Sequence, residues 1–153
     1  MPTTGLREFL DSNKVKYISI QHSPAYTAQE IASVAHIPGK ELAKSVIVNV
    51  DGKIAMAVLP ASHRVDFKRL KEAIGAKEVK LAKEPEFEGT FPDCQLGAMP
   101  PFGNLYGVDV FADESLTEDE EFAFNACSHT ELIRLAYRDF EELVKPQVMK
   151  LSR

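Results

Sequence analysis

Apolar residues recur along the chain with two different periods, and the switches between them outline its elements. After Thr4, the residues Leu6, Phe9 and Leu10 follow the spacing of a short amphipathic helix ending near Asn13, and "KYISIQ" then alternates as a strand does. "HSP" ends that strand. Thr27-Ala28-Gln29-Glu30 has the capping-box pattern, in which the hydroxyl meets the N3 amide and the carboxylate reaches back, so it predicts a helix to about His36, closed by Pro38-Gly39. "AKSVIVNV" and "KIAMAVLP" around Asp51-Gly52 form the clearest hairpin, with the apolar content of central strands. Asp66 can cap "FKRLKEAI" with Gly75 closing it, "KEVKLA" reads as a short strand, and "EPEFEG" as a short helix with Pro85 in its first turn. Beyond a Gly/Pro-rich loop, "LYGVDVFAD" and "EFAFNA" read as strands separated by the acidic connector "ESLTEDE". "TELIRLAY" fits either period, and "DFEELVK" predicts a terminal helix stopped by Pro146. No repeat or linker divides this order. The expected fold class is α+β: one domain over residues 1–153 with a mixed, mostly antiparallel sheet of about six or seven strands and flanking helices.

Composition narrows the class. With 153 residues, 44% of them apolar and 27% charged, the chain can bury a core without metal or disulfide support. Its apolar runs are too short to span a bilayer and its first residues lack the apolar core of a signal peptide, so an intracellular, cytoplasmic protein without membrane contact is expected. Cys94 and Cys127 have neither metal-ligand nor redox spacing and read as reduced thiols. The net charge of −5 argues against a protein that grips DNA or RNA by its backbone alone. The charge is unevenly spread, however. Residues 40–83 carry ten Lys/Arg against five Asp/Glu, whereas 84–131 carry twelve Asp/Glu and no Lys or Arg, so a polyanion should meet the first segment.

Few polar residues suggest chemistry. Lys44 begins a strand otherwise written "SVIVNV" and either snorkels to the rim or points into a cleft, where it would be a cation for phosphate or carboxylate. His22, His36, His63 and His129 show no zinc-ligand spacing, so no metal and no cofactor are expected. His22 and His129 each follow a predicted strand, the kind of place where a scaffold displays reactive groups. Cys94 has no nucleophile-elbow context and is flanked by Asp93, whose charge disfavours a thiolate. In "CQLGAMPPFGNLYG", Pro100 and Pro101 stiffen the chain, while Gly97 and Gly103 allow positive φ and close approach of another molecule. A Gly/Pro cluster alone is equally a structural crossover.

Four segments in order, "HSPAYTAQEIA", "GKELAKSVIV", "GAMPPFG" and "FNACSHTELIRL", resemble the YbaK/EbsC family, free-standing relatives of the editing domain inserted in bacterial prolyl-tRNA synthetases. The resemblance runs from about Gln21 to Pro146. It implies metal-free hydrolysis of the ester joining a wrong, small amino acid (Ala, Cys, Ser or Thr) to the 3′ end of a tRNA, typically tRNA(Pro). The partners it implies are the aminoacyl-tRNA acceptor end and a prolyl-tRNA synthetase. A synthetase pocket rejects smaller competitors poorly, so a second, hydrolytic site is needed.

Carried over by motif, the family lysine is Lys44, its Gly-x-x-x-Pro loop runs from Gly97 to Pro101, and its histidine is His129. The amides of Gly97, Ala98 and Met99 would stabilise the tetrahedral oxyanion, since a stiff loop need not reorganise during reaction. Lys44 would hold a phosphate of the CCA end, with His22, Ser45, Pro100, Pro101, Ser128 and His129 binding substrate, and the terminal ribose hydroxyl would help activate water. Two departures stand out: Cys127 replaces a frequent glycine, and Ser45 an asparagine found in some relatives. A non-catalytic tRNA or synthetase adaptor and a cysteine-dependent hydrolase are the rival readings.

Overall fold

The computed structural model describes residues 4–24, 30, 41–92, 94–95 and 97–153. The helix expected from Thr27 to His36, and Asp93, lie outside the described residues except for Glu30. The elements are α1 (Thr4–Ser12), β1 (Tyr17–Gln21), β2 (Ala43–Val50), β3 (Lys53–Pro60), α2 (Phe67–Ile74), β4 (Val79–Leu81), β5 (Asp109–Asp113), β6 (Glu121–Asn125), β7 (Glu131–Ala136), α3 (Tyr137–Val144) and β8 (Gln147–Met149). The class is α+β, with eight strands among the described residues rather than six or seven, and in two sheets rather than one. The smaller sheet is antiparallel in the order β1-β7-β6; the larger runs β4-β2-β3-β5-β8, with β5 parallel to both β3 and β8. No described helix is long and apolar enough to cross a membrane.

Local chemistry explains most boundaries. The Asp51-Gly52 turn takes positive φ at both positions, +50° and +90°, which suits the twist of the β2–β3 hairpin. The Asp66 side chain accepts from the Arg69 amide at 3.1 Å, and Gly75 ends α2 at φ +70°. "TELIRLAY" resolves as β7, and "EPEFEG" forms only a single 3₁₀ turn, Glu84–Glu86. The strand expected from Leu105 starts at Asp109, because Gly103–Tyr106 closes into a 3₁₀ turn, and β8 lies beyond Pro146 where no strand was expected.

The main core lies between the larger sheet and a layer made of the smaller sheet with α1 and α3. Its centre is aromatic: Phe102 meets Phe124, Phe140 and Phe9 at ring-centroid distances of 5.5, 5.7 and 6.2 Å. Leu59, Val65, Leu70 and Leu151 form a second cluster on the other face of the larger sheet. A parallel bridge from Leu42 to Ala123 joins the start of β2 to β6. Beyond that bridge the two strands run in the same direction, so β2 passes alongside the end of β6.

Asp113, 2% exposed, closes the C-terminal segment. Its carboxylate accepts from the Leu151 and Ser152 amides, each at 3.0 Å, and from the Ser115 amide and hydroxyl. Burial alone would raise its pKa, but these bonds overcome it and hold the carboxyl below the usual range. A carboxylate with a lowered folded pKa contributes stability above its unfolded pKa, and that stability is lost as pH falls through the folded value. Asp113→Ala should therefore cost about 3 kcal/mol, since it leaves several buried donors unmet. Thermal melting at pH 7 should show a drop of roughly 6–12 °C, and the variant should lose less stability than the parent on acidification below about pH 4. An unchanged melting temperature would contradict this role.

Candidate active site

The Gly/Pro loop is held at both ends. Ala98, Met99, Pro100, Pro101 and Phe102 are all buried, and Phe102 drives its ring into the aromatic core. A Cβ on Gly103 would lie 2.7 Å from Val110 Cγ2 and 2.8 Å from the Val108 carbonyl oxygen. This glycine therefore serves packing, not ligand approach or positive φ. Gly97 is different: it is exposed, has φ +82°, and a Cβ there would stand 3.7 Å from Cε1 of His129.

The other end of the loop is tied to the β6–β7 turn. The Gln95 amide donates to the Cys127 carbonyl at 3.0 Å, and the His129 amide donates to Gln95 Oε1 at 2.8 Å. Cys94 and Cys127 are joined in a disulfide, with Cα atoms 4.1 Å apart, which corrects the expectation of two reduced thiols. Their separation of 33 residues carried no pairing signal, because only the tertiary approach of loop to turn brings them together. Cys127 also takes φ +66°, a left-handed conformation that glycine adopts without steric cost. No cysteine is left free as a nucleophile in this structure.

Of the three amides expected to face a ligand, Ala98 is already engaged, donating to the Gln95 carbonyl at 3.0 Å. The amides of Gly97 and Met99 make no hydrogen bond among the described residues, which narrows the expected oxyanion set to two. Pro100 and Pro101 are buried stiffeners behind them.

His22 arrives from the end of β1. Its amide donates to the Thr130 carbonyl at 2.9 Å, placing it across from the Ser128–Thr130 turn. Ring Nδ1 lies 2.7 Å from the Ser23 carbonyl oxygen; a carbonyl only accepts, so Nδ1 donates and Nε2 is the ring nitrogen left for a ligand. Among the described residues that Nε2 is buried without a partner, as are Ser45 Oγ and Asn125 Oδ1. Ser128 is occupied by its own turn, its Oγ 2.9 Å from Thr130 Oγ1 and 3.1 Å from the Thr130 amide.

Lys44 is not grouped with Ser45. In β2, Ala43 and Ile47 pack into the main core while Val46 and Val48 pack into the second cluster, so alternation places Ser45 on the core face and Lys44 on the opposite one. Lys44 nonetheless sits second in its strand, where the sheet ends and both faces are within reach. Burial, and then the charge of Arg64, hold its ammonium below the ordinary lysine range. Among the described residues no three His, Cys, Asp or Glu side chains gather to hold a metal ion. A cavity of about 170 Å³ opens beside the loop between Phe87, Phe91, Cys94 and Met99, with Glu84 and Glu88 at its rim.

Sequence reasoning passed over Gln95, Asn125 and Arg64. Asn125 had a usable signal, a polar residue closing the apolar strand "EFAFN"; Gln95 and Arg64 had none.

This arrangement can be set beside known proteins. The sequence model of the aminoacyl-tRNA editing domain matches residues 22–143, from His22 to Leu143, and so spans every site element above. The chain belongs to the aminoacyl-tRNA editing domain family. Within it, the prolyl-tRNA editing protein ProX of Acetoanaerobium sticklandii is 27% identical over 143 residues, covering 89% of this chain and 86% of that protein. The proline–tRNA ligase of Bacillus mycoides is 25% identical over 100 residues, which make up 65% of this chain but only 17% of the ligase. Among solved structures, the hypothetical protein APE2540 superposes with a TM-score of 0.87 at 20% identity over 97% of this chain and 99% of that one. A proposed trans-editing enzyme for prolyl-tRNA synthetase superposes at 0.84, with 18% identity over 99% and 97% of the two chains. At these identities the two structures share the fold of this editing domain.

Two substitutions test the site's construction. Gly97→Ala should cost about 1–2 kcal/mol from the left-handed backbone. It should depress turnover more than melting, because the new methyl also meets the His129 ring; a variant with parental turnover would show that the loop stands away from the substrate. The double change Cys94→Ser, Cys127→Ser should keep turnover within a few-fold, since Gln95 holds the same junction by two hydrogen bonds. Abolished hydrolysis in a folded double variant would make sulfur chemistry part of the reaction.

Proposed function

We propose that the protein is a trans-editing deacylase that hydrolyses a misacylated tRNA, a tRNA(Pro) carrying Ala, Cys, Ser or Thr, without a metal. The observation that carries this reading is the junction of an exposed positive-φ Gly97 with His129, together with the polar atoms of His22, Ser45 and Asn125 that are buried without a partner among the described residues. Buried polar groups without partners cost about 1–3 kcal/mol each, and a bound polar substrate supplies what they lack.

The geometry supports a role for each residue. The ester carbonyl sits against the amides of Gly97 and Met99, which stabilise the oxyanion formed when water attacks. Ser45 Oγ, Asn125 Oδ1 and His22 Nε2 hold the terminal ribose and the water, and Lys44 takes a phosphate of the CCA end from the end of its strand. His129 forms the wall over Gly97. The cavity beside Met99 is of a size to take a small side chain, and the rim glutamates suit its α-ammonium. The hydroxyl adjacent to the ester on the terminal ribose assists the attacking water, since no carboxylate of the described site is placed to do so. A prolyl-tRNA synthetase is the natural source of the misacylated substrate and so the partner.

Deacylation assays on Ala-, Cys-, Ser-, Thr- and Pro-tRNA(Pro) test this. Hydrolysis of one or more of the first four, with Pro-tRNA(Pro) spared and strong chelation without effect, is expected; binding without turnover on any of them would make the protein an adaptor. A misacylated tRNA lacking the neighbouring ribose hydroxyl should bind nearly as well yet react at least about a hundredfold more slowly, the lower end of what positioned acid–base help contributes. Equal rates would remove substrate assistance and leave His22 Nε2 as the base.

A further inference from the structure

The bonds around Asp113 end in the placement of one exposed side chain. With Leu151 and Ser152 fixed on that carboxylate, Arg64 and Arg153 exchange two backbone hydrogen bonds, at 3.0 and 2.9 Å, and the Asp66 amide donates to the Leu151 carbonyl at 2.7 Å. His63 Nδ1 meets Ser152 Oγ at 2.9 Å, and Arg69 Nη1 donates to the Ser152 carbonyl at 3.2 Å. Below this platform Val65 and Leu151 pack with Leu59, the cross-strand partner of Lys44. Cross-strand partners share a face, so Lys44 leaves the sheet on the side that the Arg64 segment covers.

Neither Lys44 nor Arg64 has a carboxylate within salt-bridge distance among the described residues. The acid nearest Arg64 in sequence, Asp66, is committed to the α2 cap and to Arg69. The influence of Arg64 on the Lys44 ammonium agrees with this proximity. Two like charges held together by a rigid scaffold repel until an anion bridges them.

We propose that Lys44 and Arg64 jointly seat one phosphodiester of a bound nucleic-acid strand, Arg64 engaging the non-bridging oxygens through its planar fork and Lys44 acting as a point charge. This rests on the reading of the site as one for an acceptor end and adds to it a binding residue and a direction. From the ester at Gly97 the strand passes around the start of β2 and onto the face that carries α2. That path also lies in the basic 40–83 segment.

The test uses the whole chain and an uncharged RNA oligonucleotide ending in CCA, so that it reads binding without hydrolysis. Arg64→Ala should weaken binding about tenfold and lower the slope of log affinity against log salt by about one, with melting unchanged. Arg64→Lys should recover part of the affinity, and combining Arg64→Ala with Lys44→Ala should cost less than the sum of the two. Lys53→Ala, at the other end of the same hairpin, should do neither. Parental affinity and slope in Arg64→Ala would overturn the inference, as would failure of the parent protein to bind the oligonucleotide. Inorganic pyrophosphate is titrated in parallel while the Lys44 side-chain resonances are followed. Pyrophosphate binding lost in Arg64→Ala, without RNA binding in the parent, would overturn the nucleic-acid assignment and leave a small-anion site. RNA binding that depends on Arg64 without deacylation would sink the editing reaction alone.

Discussion

Phe102 reaches α1 through Phe9, β6 through Phe124 and α3 through Phe140, and it is fully buried among them. Burying a phenylalanine side chain is worth roughly 1.5–3 kcal/mol, and each favourable ring pair adds about 0.5–1.5. The same residue immediately follows Pro101. The contact that closes the core therefore also fixes where the Gly/Pro loop leaves it. With two prolines restricting φ just before the anchor, the chain has little freedom until Gly97. A loop whose amides must meet a developing charge without moving needs this kind of support from the core.

The opposite face of the site comes from strand ends. The antiparallel register Gln21–Glu131 puts His22 beside Thr130, and the parallel bridge Leu42–Ala123 leads β2 past the end of β6. The β1–β7 register and the bridge between the start of β2 and β6 thus bring His22, Ser45, Asn125 and His129 toward one end of the smaller sheet. A slip of one residue in β2 would exchange the faces of Lys44 and Ser45, so the hydrophobic alternation of "SVIVNV" also specifies the polar arrangement.

That alternation is why much of the fold was legible. The hairpin, α2 with its Asp66 and Gly75 caps, and the strands "YISIQ" and "EFAFN" are written in local pattern and turn chemistry. The division into two sheets was not legible, because it depends on which strand edges meet and no single segment records that. β8 was missed for a related reason: three residues after a proline offer too few positions for a period, and they become a strand by pairing in parallel with β5. At the candidate site, Lys44, Gly97 and His129 are proposed through family motifs. Gln95 and Arg64, ordinary surface types in an unremarkable sequence context, acquire meaning only from what they touch.

The Cys94–Cys127 link and the left-handed backbone at Cys127 bear on the same junction. A non-glycine residue at positive φ carries about 1–2 kcal/mol of steric cost, and a chain free to vary would relieve it with glycine. Here the strain falls at the one turn that must present His129 toward Gly97, and it is offset by what Cys127 gains: complete burial, a hydrogen bond to its carbonyl from Gln95, and a covalent tie to the loop. Glycine would remove the strain and the tie together. The two halves of the site are thus held together twice over in this chain, by the covalent link and by the two hydrogen bonds of Gln95, so their alignment does not rest on the turn alone.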